Sequence, residues 1–149
     1  MTGKQAEELL YIHLPAGSAL PSLDAKPCRV VIIAEQHVPV EWQSSVAKWV
    51  IEKRCLFMMA WGLDCEIWHD AVDWAAHDLH GYEDVADDDF VMTSWHENEP
   101  LSEALFFCRC VAFHPTASLD RAILLHIAEV PRREEILRCY DKSTDIEDE

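Results

Sequence analysis

Residues 55–70 read Cys55-Leu56-Phe57-Met58-Met59-Ala60-Trp61-Gly62-Leu63-Asp64-Cys65-Glu66-Ile67-Trp68-His69-Asp70. The apolar run from Cys55 to Trp61 has no polar break, which fits a strand buried on both faces. Gly62 supplies a turn, and Asp64 is placed to cap a helix. Cys65, Trp68, Val72, Ala75, Ala76 and Leu79 then share one helical face, so the helix is expected to pack on a sheet. Gly81 suits its C-terminal stop. A strand, a tight turn and a helix in this order form the repeating unit of a parallel α/β sheet.

The unit recurs on both sides. Upstream, Arg29-Val30-Val31-Ile32-Ile33-Ala34-Glu35 is a second buried strand. Pro39 opens a helix with Trp42, Val46, Trp49 and Val50 inward, ending near Lys53-Arg54. Further upstream, Leu10 to Leu14 reads as a short edge strand. Pro15 to Pro27, with three prolines and a glycine, reads as a connecting loop. Downstream, Glu83 to Asp89 is an acidic loop and Phe90 to Trp95 a strand. Pro100 begins a helix with Leu101, Leu105, Cys108 and Ala112 inward. Ala122 to Ala128 is a further strand, and Pro131 starts a last helix with Ile136, Leu137 and Tyr140 inward. Strand–helix alternation of this kind predicts one α/β domain over residues 1–149. The expected form is a three-layer sandwich on a mostly parallel sheet of four to five strands, of the flavodoxin or Rossmann type. The stretch 141–149 is acidic with a single apolar residue, and it reads as a flexible tail.

A chain of 149 residues that is half apolar, with only four glycines, has the material for a sizeable core. No apolar run approaches the ~18–20 residues of a membrane span, and the polar Met1–Glu8 stretch is unlike a signal peptide. Cys28, Cys55, Cys65, Cys108, Cys110 and Cys139 read as reduced thiols, because most fall in apolar segments of a chain that is not loop-rich. That points to the cytoplasm. The net charge of -16 opposes binding to a nucleic-acid backbone or an anionic membrane, and it permits a basic protein partner.

In open α/β sheets ligands bind beyond the carboxyl ends of the strands. Those exits hold Glu35 and His37, then Trp61, Asp64 and Cys65, then Ser94, Trp95, His96, Glu97 and Glu99, then Glu129. Polar groups beside aromatics describe a pocket, and Glu35, His37, Trp61, Asp64, Ser94, Trp95, His96 and Glu97 are its expected lining. Neither G-x-G-x-x-G nor the P-loop pattern follows the first long strand, and acids there repel phosphate, so no nucleotide cofactor is expected. Asp64, Cys65, His96 and Glu97 are the catalytic candidates. A thiol at a helix N-terminus is activated by the dipole, and His37 or His96 supplies a base. Against this stands the apolar face on which Cys65 lies, since free cysteine is often a small core residue.

Glu97, Glu99 and Glu103 offer a carboxylate pair, although Glu99 and Glu103 also suit a helix N-terminus. Ser94 and Ser102 lack the G-x-S-x-G elbow of many serine hydrolases. His69, Asp73 and His77 align along a helix, but the outer two lie too far apart to share one ion. Cys108-x-Cys110 lacks zinc-site spacing, so no metal site is expected. Trp74 falls opposite the apolar face of its helix, among Asp70, Asp73 and Asp78. An exposed tryptophan ringed by acids is a candidate anchor for a basic protein.

The stretches Met58-Met59-Ala60-Trp61-Gly62-x-Asp64-Cys65-x-x-Trp68-x-Asp70 and Thr93-x-Trp95-His96-Glu97-x-Glu99-Pro100-Leu101-Ser102-Glu103 resemble those of a family of small bacterial proteins of unknown function. The resemblance runs from about Tyr11 to Ile127. It implies a bacterial origin and no particular activity. The expectation is therefore a small acidic domain that binds and neutralises a basic protein, as an immunity or antitoxin-type inhibitor does. The alternative is an enzyme or small-ligand binder that uses the strand exits.

Overall fold

The computed structural model describes residues 7–80 and 89–143. Five strands form one parallel sheet in the order β1-β5-β2-β3-β4, and four helices cover it. The strands are β1 (Glu8–His13), β2 (Cys28–Ala34), β3 (Cys55–Gly62), β4 (Met92–His96) and β5 (Arg121–Ile127). The helices are α1 (Val40–Glu52), α2 (Cys65–His80), α3 (Leu101–Cys110) and α4 (Arg133–Lys142).

All of β2 and β5 is buried, as is β3 up to Ala60. That explains their unbroken apolar sequences: a central parallel strand has a helix layer on each face and no wet side. Val30, Ile32, Met58, Ala60, Ile123 and Leu125 face α1 and α2, where they meet Val46, Val50, Trp68 and Val72. Val31, Ile33, Phe57, Met59 and Leu124 face α3 and α4, where they meet Leu105, Cys108, Ile136 and Tyr140. Each fully buried Val, Leu or Ile contributes about 1.5–3 kcal/mol, so the two apolar layers carry the fold.

Setting β1 aside, the order β4-β3-β2-β5 is the 3-2-1-4 order of a Rossmann half, and the flavodoxin order does not occur. The connections through α1 and α2 step outward from β2 to β4. The connection through α3 returns to β5 on the far side of β2. The strand order therefore reverses between β2 and β5. β1 pairs with β5 and forms the outer edge.

Gly62 has φ +100°, and a Cβ there would lie 2.1 Å from the carbonyl oxygen of Ala34. Leu63 N–H donates to that same oxygen at 2.8 Å. Only glycine lets the end of β3 press this closely on the end of β2. Asp64 follows in the left-handed region, at φ 56°, outside the extended conformation usual for a helix cap.

The helical stripes lie inward as expected, with one departure. Leu79, expected to face the sheet, is 56% exposed on the outer side of the last turn of α2. At the other end α4 extends through Lys142 and Ser143 is fully buried, so Asp141–Ser143 belong to the folded domain. Gly81, the rest of the acidic loop up to Asp88, and residues 144–149 lie outside the described residues. No disulfide joins any of the six cysteines, and Cys28, Cys55, Cys65 and Cys108 are buried. No described helix is long and apolar enough to cross a membrane.

Candidate functional site

The carboxyl edge of the sheet carries a row that becomes visible only once the strands are in register. His13 pairs with His126, His126 with Ile33, Ile33 with Trp61, and Trp61 with His96. Register partners in a sheet point to the same face, so this line crosses all five strands beneath α3 and α4. Ile33 and Trp61 belong to the core layer on that face. His96 packs edge-on against Phe107 of α3, with ring centroids 5.0 Å apart.

At the β2/β5 reversal the row opens into a polar network. His126 is fully buried, and its Nε2 meets Glu35 Oε1 at 2.6 Å while its Nδ1 meets the Tyr11 hydroxyl at 2.7 Å. Burial, the largest influence, pushes the His126 pKa down, and it outweighs the opposing pull of Glu35. A neutral imidazole carries one N–H. The arrangement that satisfies every group has Nε2–H donating to Glu35 and the Tyr11 O–H donating to Nδ1. Arg132 closes the ring: its backbone N–H donates to the Tyr11 oxygen at 3.1 Å and its guanidinium pairs with Glu35. For Glu35, burial acts to raise the pKa, but hydrogen bonds from His126 and Arg132 prevail and hold it below its ordinary value. His13 Nε2 reaches the Ala128 carbonyl at 2.7 Å, on the outer flank.

Above Glu35 lies a cavity of about 320 Å³ between the first turns of α3 and α4. It is lined by Glu35, Trp61, Leu101, Ser102, Arg132, Glu135, Ile136 and Cys139. Trp61 donates its Nε1–H to the Glu99 carbonyl at 2.7 Å, so its ring, not its N–H, is free for the cavity. Arg132 also pairs with Glu135, so one guanidinium spans both carboxylates.

The β4 exit holds a second constellation. Ser94 Oγ lies 3.1 Å from His96 Nε2, and His96 Nδ1 lies 3.4 Å from Glu99 Oε1. Hydroxyl, imidazole and carboxylate thus stand in series, with His96 buried and Glu99 exposed. His37 and Asp64 pair at 2.9 Å on the exposed rim near α1. Trp95 faces α2, where His69 packs on its ring at 4.6 Å. Glu97 is exposed. The residues expected to line one pocket are therefore divided between two sheet faces, with Glu35 and Trp61 together at the cavity.

Cys65 is buried, as its place on the apolar face of α2 predicts, and burial first, then the charge of Glu97, raises its pKa above the ordinary thiol value. Among the described residues no group of three or more His, Cys, Asp or Glu side chains is placed to hold a metal ion.

On the opposite side of the sheet, α1 and α2 enclose an open groove of about 650 Å³. Val40, Ile51, Ile67, Trp74 and Leu79 supply apolar lining, with Lys48, Glu52, Asp70 and Asp78 among its polar residues. Trp74 is 61% exposed, as its helical position predicts. Asp73 lies apart from the groove: it accepts a hydrogen bond from Thr93 Oγ1 at 2.9 Å and approaches His69 at 3.6 Å.

Residues 9–143 match the family model described as "Domain of unknown function (DUF7684)". The chain belongs to this family. No match was found among the curated proteins, and none among solved structures. In this DUF7684 domain, sequence reasoning picked Glu35 and Trp61 but missed Tyr11, His126 and Arg132. One signal was available, a single histidine inside the apolar strand Ala122-Ile123-Leu124-Leu125-His126-Ile127. A polar side chain in such a run needs a buried partner.

Proposed function

We propose that this domain binds a basic protein through the groove between α1 and α2. A bacterial, cytoplasmic inhibitor of the immunity or antitoxin type is the specific form we favour. The observation that carries the reading is the groove. Exposed Val40, Ile67, Trp74 and Leu79 gather around one concavity, and Asp70, Asp78 and Glu52 stand among them. Large apolar side chains collected on one surface mark an interaction site, and a central tryptophan is the usual energetic anchor. The occupant this surface suits is an amphipathic basic segment. One large apolar side chain lies beside Trp74, with Lys or Arg toward the carboxylates. A net charge of -16 speeds the approach of such a partner and makes the association salt-sensitive. Six cysteines without a disulfide suit a reducing compartment.

The test is affinity capture at low salt with tagged wild type beside the double variant Trp74→Ala, Asp70→Ala. One stoichiometric basic partner, held by wild type, released by salt and lost from the variant, supports the reading. Retention of that partner by the variant, or no partner at low salt, sinks it. Asp73→Ala serves as the control, since its carboxylate faces Thr93 and not the groove.

A further inference from the structure

We infer that the cavity between α3 and α4 is a binding site for a small organic ammonium compound, a primary amine on an aromatic or branched apolar body. This site lies on the opposite sheet face from the α1/α2 groove and does not depend on the protein-binding proposal.

Charge decides the sign of the ligand. Two carboxylates, Glu35 and Glu135, line the cavity, and the sole cation among its lining residues is Arg132, which is paired with both of them. The lining is therefore one negative charge in excess, inside a protein of net charge -16 that concentrates cations near its surface. The α3 N-terminus, at Leu101 and Ser102, pulls the other way. Glu103 in the first turn of α3 offsets it, as Glu134 does for α4.

Acceptors remain open. Both hydrogen bonds that Glu35 receives, from His126 Nε2 and from Arg132, land on Oε1. That leaves Oε2 without a partner among the described residues. Glu135 uses only Oε2, toward Arg132. The Ser102 hydroxyl likewise has no side-chain hydrogen bond among the described residues. An ammonium group has three N–H donors, and Glu35, Glu135 and Ser102 all line the one cavity. Glu35 cannot turn away to meet another group, because buried His126 holds it in place. It also stays ionised, since its pKa is held low.

Shape decides the rest. Trp61 offers its ring, and Leu101, Ile136 and Cys139 complete an apolar wall. An aromatic face next to carboxylates is a favourable seat for an ammonium group and its hydrocarbon. About 320 Å³ is at the small end of ligand pockets and gives room for a single-ring amine. The position is also where the fold places ligands, beyond the carboxyl ends at the reversal of strand order.

The experiment is an NMR titration of the full chain with three probes of one shape: 2-phenylethylamine, 2-phenylethanol and 3-phenylpropionate. The expected result is a saturable shift of the Trp61 indole N–H with the amine, at least tenfold tighter than with the alcohol. The propionate should give no shift there. Glu135→Gln, at a side chain 65% exposed and therefore safe for folding, should weaken the amine about tenfold. Equal binding of alcohol and amine would overturn the proposal, as would tighter binding of the propionate or unchanged affinity in Glu135→Gln. Shifts centred on Trp74 instead of Trp61 would overturn it too, by assigning the amine to the α1/α2 groove.

Discussion

The two faces of the sheet solve the same packing problem in opposite ways. On the α1/α2 side the layer against the sheet is built of apolar side chains, and hydrophobic surface is left over outside, where Ile67, Trp74 and Leu79 stand in solvent. On the α3/α4 side polar groups are drawn inside. Tyr11, His126, Glu35 and Arg132 satisfy one another beneath the first turns of the helices, and a cavity lies above them. The difference teaches where specificity resides. An apolar face with exposed leftovers suits a macromolecule that covers it. A preorganised polar network with free oxygens suits a small molecule that enters it.

The largest test concerns what the two faces share. Gly62→Ala places a Cβ against the Ala34 carbonyl in a backbone region that disfavours it, at the junction of β2 and β3. A loss of about 4 kcal/mol or more, or failure to fold, is expected by urea denaturation. Next, Trp68→Ala on the α1/α2 side should cost about 3–5 kcal/mol and Leu105→Ala on the α3/α4 side about 2–5 kcal/mol. Were either nearly neutral, that apolar layer would not be holding its helices.

His126→Gln comes third, at about 1–3 kcal/mol near neutral pH, because Tyr11 or Glu35 loses a buried partner. It also carries a pH signature. The folded state holds the His126 pKa below its ordinary 6.5, so folding releases protons in that range. The stabilisation is complete above 6.5 and declines as pH falls through the folded value. Glu35, also held low, adds a further loss at more acidic pH, below its ordinary 4.5. Thermal melts of wild type from pH 7.5 to 5 should therefore slope downward, and His126→Gln should flatten the upper part of that slope. The smallest stability effect belongs to Trp74→Ala, within about 0.5 kcal/mol, since its ring is mostly in water. Its partner affinity should nonetheless fall by about 2 kcal/mol, roughly thirtyfold. A large drop in melting temperature would instead make Trp74 part of the core.

The elements were legible because burial leaves a mark on sequence. Val30 to Ile33 could hardly be anything but an interior strand, and the spacing of Trp68 and Val72 declared a helix face. The strand exits could be named for the same reason, and with them Glu35 and Trp61. The network could not. His126 lies 91 positions from Glu35 and 115 from Tyr11, and nothing local says that β5 inserts between β1 and β2. Cys65 carried two readings, an activated thiol at a helix start and a small core residue on an apolar face, and the fold shows the burial that raises its pKa. Leu79 misled because its stripe continues past the sheet it was meant to cover.

The place of β1 bears on how the molecule is made. Among the described residues its one partner in the sheet is β5, and Glu8 is in register with Arg121, 113 positions later. At about 5–20 residues per second on the ribosome, the first strand emerges on the order of ten seconds before its partner exists. β2, α1 and β3 can assemble during that wait, but Leu9-Leu10-Tyr11-Ile12 must remain an unpaired apolar ribbon. The carboxyl-edge network is bound to the same schedule, because Tyr11 meets His126 only when β5 slides between the two earlier strands. β5, which fills the place between β2 and β1, is thus the strand that commits the nascent sheet, and a truncation before Arg121 should leave a sticky, chaperone-dependent intermediate.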